Sequence, residues 1–271
     1  MLKRNLIALT LVVASFNIKG QDLFIDLKKE TVKIDNIDSL KKDIYNLLAD
    51  YRVILIGEIH GTNEPANLVK GLVALFTKNG DSVQVGFEIP SNQMANFKKL
   101  KSNKSILTSE FFVNPSGDGR ASEAWFKSIV EIKRNIKAEV FFYGEDIDQS
   151  EHADSFMYLN IKAKIKEHPQ WKTITIGGGI HNRVLPYNGK ITFGTLLTLD
   201  KELNFANSVC SLNHVFEQGE TLWNKFEPMP TIYTKLPFDH YLFLFPNSIK
   251  EPYNGIYYTK YVTKSVSAVS R

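Results

Sequence analysis

Four short apolar runs, Arg52–Gly57, Ser82–Phe87, Glu139–Tyr143 and Thr173–Ile176, alternate with stretches of helical periodicity. That alternation constrains the chain more than any other feature of it. The runs are rich in β-branched and aromatic residues and too short for helices, so they read as buried strands. A helix is expected over 38–49, where Leu40, Ile44 and Leu47–Leu48 form one stripe. The next helix has Pro65 in its first turn, runs through Leu68, Leu72 and Leu75, and stops at Asn79–Gly80. Further helices are expected through Met94, Phe97 and Leu100, over 120–136 with Trp125, Ile129 and Ile132 on one face, and over 153–166. Residues 22–37 read as extended or irregular, 101–105 as a polar link, 111–119 as a loop, and 239–245 as the last buried strand. Strands alternating with helices predict an α/β fold with a mostly parallel central sheet flanked by helices on both faces. No repeat or linker interrupts it, so a single domain over 38–246 is expected, with 247–271 as a tail packed on it or trailing it.

The first residues follow another logic. Lys3 and Arg4 precede an apolar run from Leu6 to Phe16, after which the chain turns polar at Asn17. A membrane-spanning helix needs roughly 20 apolar residues, so this shorter run reads as a secretory signal over residues 1–20, cleaved near Gly20–Gln21. No cysteine follows it to carry a lipid, since Cys210 stands alone. An exported protein, periplasmic or secreted and without a stable membrane span, is the expectation. The formal charge of +4 comes from scattered rather than clustered Lys and Arg, which argues against nucleic acid as a partner.

In an open α/β sheet, ligands bind beyond the carboxyl ends of the strands. Here those ends are consistently polar. The first delivers Glu58, His60 and Glu64, the second Glu88, the third Glu145 and Asp146, and the fourth His181 after three glycines. Glu58 and His60 are two apart and point to one side of an extended chain. His60 and Glu64 are four apart and share a face once the helix has begun. Gly57 and Gly61 permit a tight turn between strand and helix, and the helix N-terminus offers N–H groups to an anionic ligand or transition state. Each residue also has a structural reading. Glu64 suits a helix cap, His60 a hydrogen-bonded core histidine, Glu88 a turn, and Asp118-Gly119-Arg120 a turn into a helix cap.

These motifs in this order carry a resemblance. Gly57-Glu58-Ile59-His60-Gly61-Thr62 with Glu64, then Glu88, then Gly179-x-His181, resemble the superfamily of erythromycin-esterase-like proteins, ChaN-like haem-binding proteins and the TraB/Tiki group. Phe238-Asp239-His240-Tyr241-Leu242-Phe243 is similar to the final core strand of that fold. The likeness is strongest to an uncharacterised branch whose pattern Gly-Glu-x-His-Gly-Thr-x-Glu-x-Pro recurs here at 57–65, with Pro65 directly after Glu64. That branch also has Leu/Phe-Glu-Ile-Pro, matching 87–90, and Asp-Gly-Arg-x-Ser-Glu-Ala, matching 118–124. For the esterases the resemblance implies ester hydrolysis by His60, Glu88 and His181. For Tiki-type members it implies a metal-dependent protease at the same positions, and for ChaN-like members a haem-binding lipoprotein. The missing lipid-bearing cysteine weakens the last, and the short helical insertion makes a macrolide substrate unexpected.

Two classes of function therefore stand. One is a hydrolase acting on an ester or amide of a small-molecule or peptide substrate. Its catalytic residues would be His60, Glu88, His181 and Glu58, with Arg120 and Asp146 toward the substrate. In a metal-free form His60 is the general base, because an imidazole titrates near neutrality. In a metal form Glu58, His60, Glu64, Glu88 and His181 supply the ligands to Zn, Mn, Fe or Co. The other class is uptake of haem or a metal without turnover, with Tyr143, Tyr158, Tyr187, His152 or His181 as axial ligand. A scaffold with only an interaction role fits worse, since buried unpaired charges are costly.

Overall fold

In a computed structural model, which describes residues 31–99, 103–114, 117–146, 152–203, 208–221, 225–226, 239–246 and 250–269, the first apolar run lies at the middle of a nine-stranded sheet. The strands are β1 Val32–Lys33, β2 Val53–Glu58, β3 Val83–Pro90, β4 Ala138–Gly144, β5 Lys172–Gly178, β6 Val209–Glu220, β7 Lys225–Phe226, β8 His240–Leu244 and β9 Gly255–Val262. Their order is β1-β8-β9-β6-β2-β5-β3-β4, with β7 paired on β6. From β9 to β4 neighbouring strands run parallel, and the antiparallel pairs are β1 with β8, β8 with β9 and β6 with β7. The mostly parallel α/β sheet expected from the alternation is the one observed.

The helices are α1 Lys42–Leu48, α2 Glu64–Lys78, α3 Gln93–Lys99, α4 Asn103–Ile106, α5 Glu110–Val113, α6 Glu123–Lys133, α7 Ala153–Glu167 and α8 Phe193–Leu199. Because successive strand residues face opposite sides, Ile54, Ile56, Ile174 and Ile176 pack under α1, α2 and α6, while Val53, Leu55, Phe141 and Tyr143 pack under α7 and α8. Helix α2 buries Leu68, Val69, Leu72, Val73, Leu75 and Phe76. Each such side chain contributes roughly 1.5–3 kcal/mol, so the helix that follows the first motif is firmly anchored. It stops where Asn79 caps Leu75 O through its side chain and Gly80 takes a positive φ of 104°.

The structure departs from the sequence reading in several places. The helix expected over 120–136 starts at Glu123, because the Ser122 hydroxyl accepts the Trp125 N–H and caps it there. Arg120 is thereby left in a loop. The helix expected from residue 38 starts at Lys42, and short helices α4 and α5 occupy parts of the link and loop at 101–105 and 111–119. Three elements between 182 and 238 were not anticipated: α8, β6 and β7. The strand at 239–245 is not the last one. Residues 255–262 form β9, inserted between β8 and β6, so part of the expected tail is an interior strand of the sheet. The signal segment lies outside the described residues. Among those described, no helix is long and apolar enough to cross a membrane.

Candidate active site

Strands β2, β5 and β3 are consecutive in the sheet and parallel, so their carboxyl ends open side by side. Glu58 pairs in register with Gly178, and Gly57 with both Gly177 and Asn213. Close packing at these ends favours glycine at 57 and requires it at 177. A Cβ on Gly57 would lie 3.0 Å from the Gly179 Cα, tighter than nearly all side-chain contacts, so the neighbouring backbone would have to give way. The ends of β2, β3 and β5 bring Glu58, His60, Glu88 and His181 together.

His60 leaves β2 in the tight turn that Gly61, at φ 83°, completes. Its Nδ1 lies 2.9 Å from Glu58 Oε1, and its Nε2 lies 3.9 Å from Glu88 Oε1. The edge of the ring rests on Trp125, with centroids 5.8 Å apart. Burial raises the Glu58 carboxyl above the usual carboxylate range, against the pull of His60. Burial works to lower His60, but the bond to Glu58 and the charge of Glu88 outweigh it, and His60 is held above the ordinary histidine value. With Glu58 accepting from Nδ1–H, the Nε2 lone pair faces the opening.

Glu88 is fixed from two sides. The Gly178 N–H donates to Oε2 at 2.6 Å, and Arg120 Nη1 donates to the Glu88 carbonyl at 3.1 Å and to Oε1 at 3.3 Å. Arg120 is held in turn by Asp118, whose carboxylate accepts from Nε at 2.7 Å and lies 2.7 Å from Nη2.

On the far side of Gly178, His181 Nδ1 lies 3.0 Å from Asp154 Oδ1. The same oxygen accepts the Phe193 N–H at the start of α8, at 2.9 Å, which fixes the carboxylate. Burial again works to lower His181, and the Asp154 bond and the Glu88 charge raise it above the ordinary value. Two carboxylate–imidazole pairs thus face each other over Gly178. A Cβ placed there would be 3.4 Å from both His60 Nε2 and His181 Cδ2, so these atoms lie within about 7 Å of each other. The opening above them is a cavity of about 580 Å³. Ile59 and Ile180 stand on its rim, and Asn213, His214, Thr221 and Tyr253 on the wall toward β6 and β9.

The structure brings Glu58, His60, Glu88 and His181 together and separates the other candidates. Glu64 faces away: its Oε1 accepts from the backbone and hydroxyl of Thr263 at 2.9 and 2.6 Å. Asp146 is not on the cavity wall and accepts the Asn92 N–H at 3.3 Å. Arg120 reaches the site, but its fork holds Glu88 and Asp118 instead of opening toward a substrate. Asp154 was missed because only tertiary contact pairs it with a histidine 27 residues on, and His214 because no motif surrounds it, so that it read as structural or surface. It is buried, with Nε2 2.9 Å from Thr259 Oγ1 and no partner for Nδ1 among the described residues.

The donor set does not suit a resident divalent ion. Both Glu88 oxygens are engaged, and Glu64 is turned toward Thr263. Among the described residues no group of three or more His, Cys, Asp or Glu could hold a metal. Of the tyrosines considered for haem, Tyr143, fully buried, donates to Ile176 O at 3.0 Å and Tyr158 to Asp200 at 2.6 Å, while Tyr187 is exposed with Arg183 over its ring.

No protein-family model matches the sequence, and no curated protein matches it. Solved structures do. The chain is similar to a succinoglycan biosynthesis protein, with a TM-score of 0.65 at 10% identity over 91% of this chain and 98% of that one. It is similar also to a protein from Bacillus cereus, with a TM-score of 0.63 at 8% identity over 92% and 99% of the two chains. Its structural neighbours further include a variant of the erythromycin esterase EreC in its open conformation (TM-score 0.43, 9% identity, 81% of this chain and 78% of that) and the haem-binding ChaN of Campylobacter jejuni (0.44, 13%, 64% and 85%). At 8–10% identity the likeness to the first two is one of fold.

Proposed function

We propose that the chain is an exported hydrolase of esters or amides that works without a resident metal, with His60 as general base. The observation that carries this is the pair of carboxylate-bound imidazoles facing one another over Gly178. Glu58 holds His60 with Nε2 free to take a proton from water, whose oxygen then bonds to the substrate carbonyl carbon. As the tetrahedral intermediate collapses, the bond to the leaving oxygen or nitrogen breaks, and His181, protonated and oriented by Asp154, gives that atom a proton. Glu88 stabilises the imidazolium formed on His60. A positioned base of this kind contributes on the order of 10²–10⁴ in rate. Ile59 and Ile180 at the rim favour a substrate with an apolar part beside the scissile bond. Export rests on the N-terminal charge and hydropathy pattern. Haem uptake has less support, since the Tyr143 and Tyr158 hydroxyls already donate to other groups.

The test is a panel of p-nitrophenyl esters and anilides with protein purified without an affinity tag. Activity that survives dialysis against EDTA and falls about a hundredfold or more in His60→Ala is the expected result. Wild-type turnover in His60→Ala, or activity that EDTA abolishes and a divalent ion restores, overturns the reading.

A further inference from the structure

Glu64 belongs to the first motif, yet the hydrolytic chemistry leaves it unused. Its carboxylate is buried and turned toward residues some 200 positions later in the chain. The segment that follows β9 runs along the loop of residues 60–64. Asn63 N–H donates to the Thr263 carbonyl at 3.1 Å and the Asn63 side chain to the Lys264 carbonyl at 3.0 Å. Ser265 N–H donates to the Gly61 carbonyl at 2.9 Å, directly beside His60. The same segment then binds the start of α6: the Ser265 hydroxyl accepts the Ala124 N–H at 3.0 Å, and the Val266 carbonyl accepts the Glu123 N–H at 2.8 Å. Further on, Ala268 N–H donates to the Ala121 carbonyl at 3.1 Å, next to Arg120.

The loops that carry His60 and Arg120 therefore share one brace. They also touch: a Cβ on Gly119, at φ 92°, would lie 2.8 Å from the Gly61 nitrogen. Neither loop has regular structure of its own to hold it. Displacing either would break the His60–Glu58 bond or the Arg120–Glu88 bond. Displacements of about 1 Å at such groups cost on the order of a hundredfold in rate.

We propose that the segment Thr263–Ala268 is a built-in strap that sets the geometry of the active site, and that Glu64 is the positioning residue through which the strap holds His60. Glu64 touches no reacting atom in this arrangement. It accepts two hydrogen bonds from Thr263 and so anchors the strap at the first turn of α2, four residues after His60. The proposal builds on the hydrolytic reading of the site, but its first readout needs no turnover.

The experiment is NMR titration of the His60 ring, assigned by its loss in His60→Ala, in wild type, Glu64→Ala and Glu64→Gln. In Glu64→Ala the His60 pKa should fall toward the ordinary histidine value as the Glu58 bond loosens. Any esterase turnover should drop on the order of tenfold or more in kcat with little change in KM. Glu64→Gln keeps an acceptor at the same place and should restore both. If Glu64→Ala does not fold, Thr263→Val removes one of the two donors and is read in the same way. A His60 titration that matches wild type in a folded Glu64→Ala or Thr263→Val protein overturns the strap. If the wild type hydrolyses nothing, the titration still decides the strap while the hydrolase reading fails separately.

Discussion

Replacing Gly178 with alanine should separate catalysis from folding. The added methyl would lie 3.4 Å from His60 Nε2, 3.4 Å from His181 Cδ2 and 3.6 Å from Glu88 Oε2. These are ordinary contacts, so the native packing need not move. Gly178 is also absent from the positive-φ positions, so alanine adopts its backbone without strain. Fewer unfolded conformations then favour the alanine form by about 0.4–1 kcal/mol. Function is another matter, because the methyl occupies the space between the two imidazoles where water and the carbonyl must meet. Excluding the water removes base catalysis, a loss on the order of 10²–10⁴. Gly177→Ala is the control. Its methyl would collide with the Glu88 carboxylate and the Tyr143 hydroxyl, and overpacking of this kind costs about 1–3 kcal/mol. Thermal melts and ester hydrolysis on the same preparations read both quantities. If Gly178→Ala turns over like wild type, the reaction does not take place between His60 and His181, and the mechanism is wrong.

Two further outcomes follow from titration. His60 and His181 are both held above the ordinary histidine value. The base must be unprotonated and the acid protonated, so the rate should climb as pH rises through the raised His60 value and fall again at higher pH. The optimum should lie on the alkaline side of about 6.5, with apparent pKa values that belong to the pair, and a kcat/KM profile maximal below pH 6 would contradict the assignment. His214 behaves in the opposite sense: burial first, and then the neighbouring His240, pull it down to about 3. Its folded value lies below the unfolded one, so stability is whole above about 6.5 and declines by about 1.4 kcal/mol per pH unit as pH falls toward 3. His214→Gln should flatten that part of the denaturant-derived stability profile, and an unchanged slope would show that the buried imidazole is not responsible.

Strand β2 is the plainest in the sequence because both of its buried faces are apolar. Val53 to Ile56 contact α2 on one side and α8 on the other, so nearly every residue is β-branched or leucine, and the run stands out. Strand β6 is equally central, next to β2, yet it reads Val-Cys-Ser-Leu-Asn-His-Val-Phe. Its polar residues are made acceptable by tertiary bonds: Ser211 Oγ donates to Asn182 O at 2.6 Å, and His214 bonds Thr259. Local pattern cannot show a partner supplied by another strand. β9 was lost for a related reason, since Tyr257, Tyr258 and Thr259 continue a sheet whose last apolar strand had already been counted.

The site divides along the same line. Glu58, His60, Glu88 and His181 were legible because the backbone places strand ends together whatever the side chains do. The partners that give those groups their chemistry were not. Asp154 sits in the first turn of α7 and meets His181 only because β4 and β5 place α7 beside α8, and Glu64 has the same spacing from His60 as a helical metal ligand would. What decides between ligand and brace is the direction of one carboxylate. Thr263 provides two donors on the side away from the cavity, so Glu64 turns there, and the motif's third charged residue serves to hold the loop that carries His60.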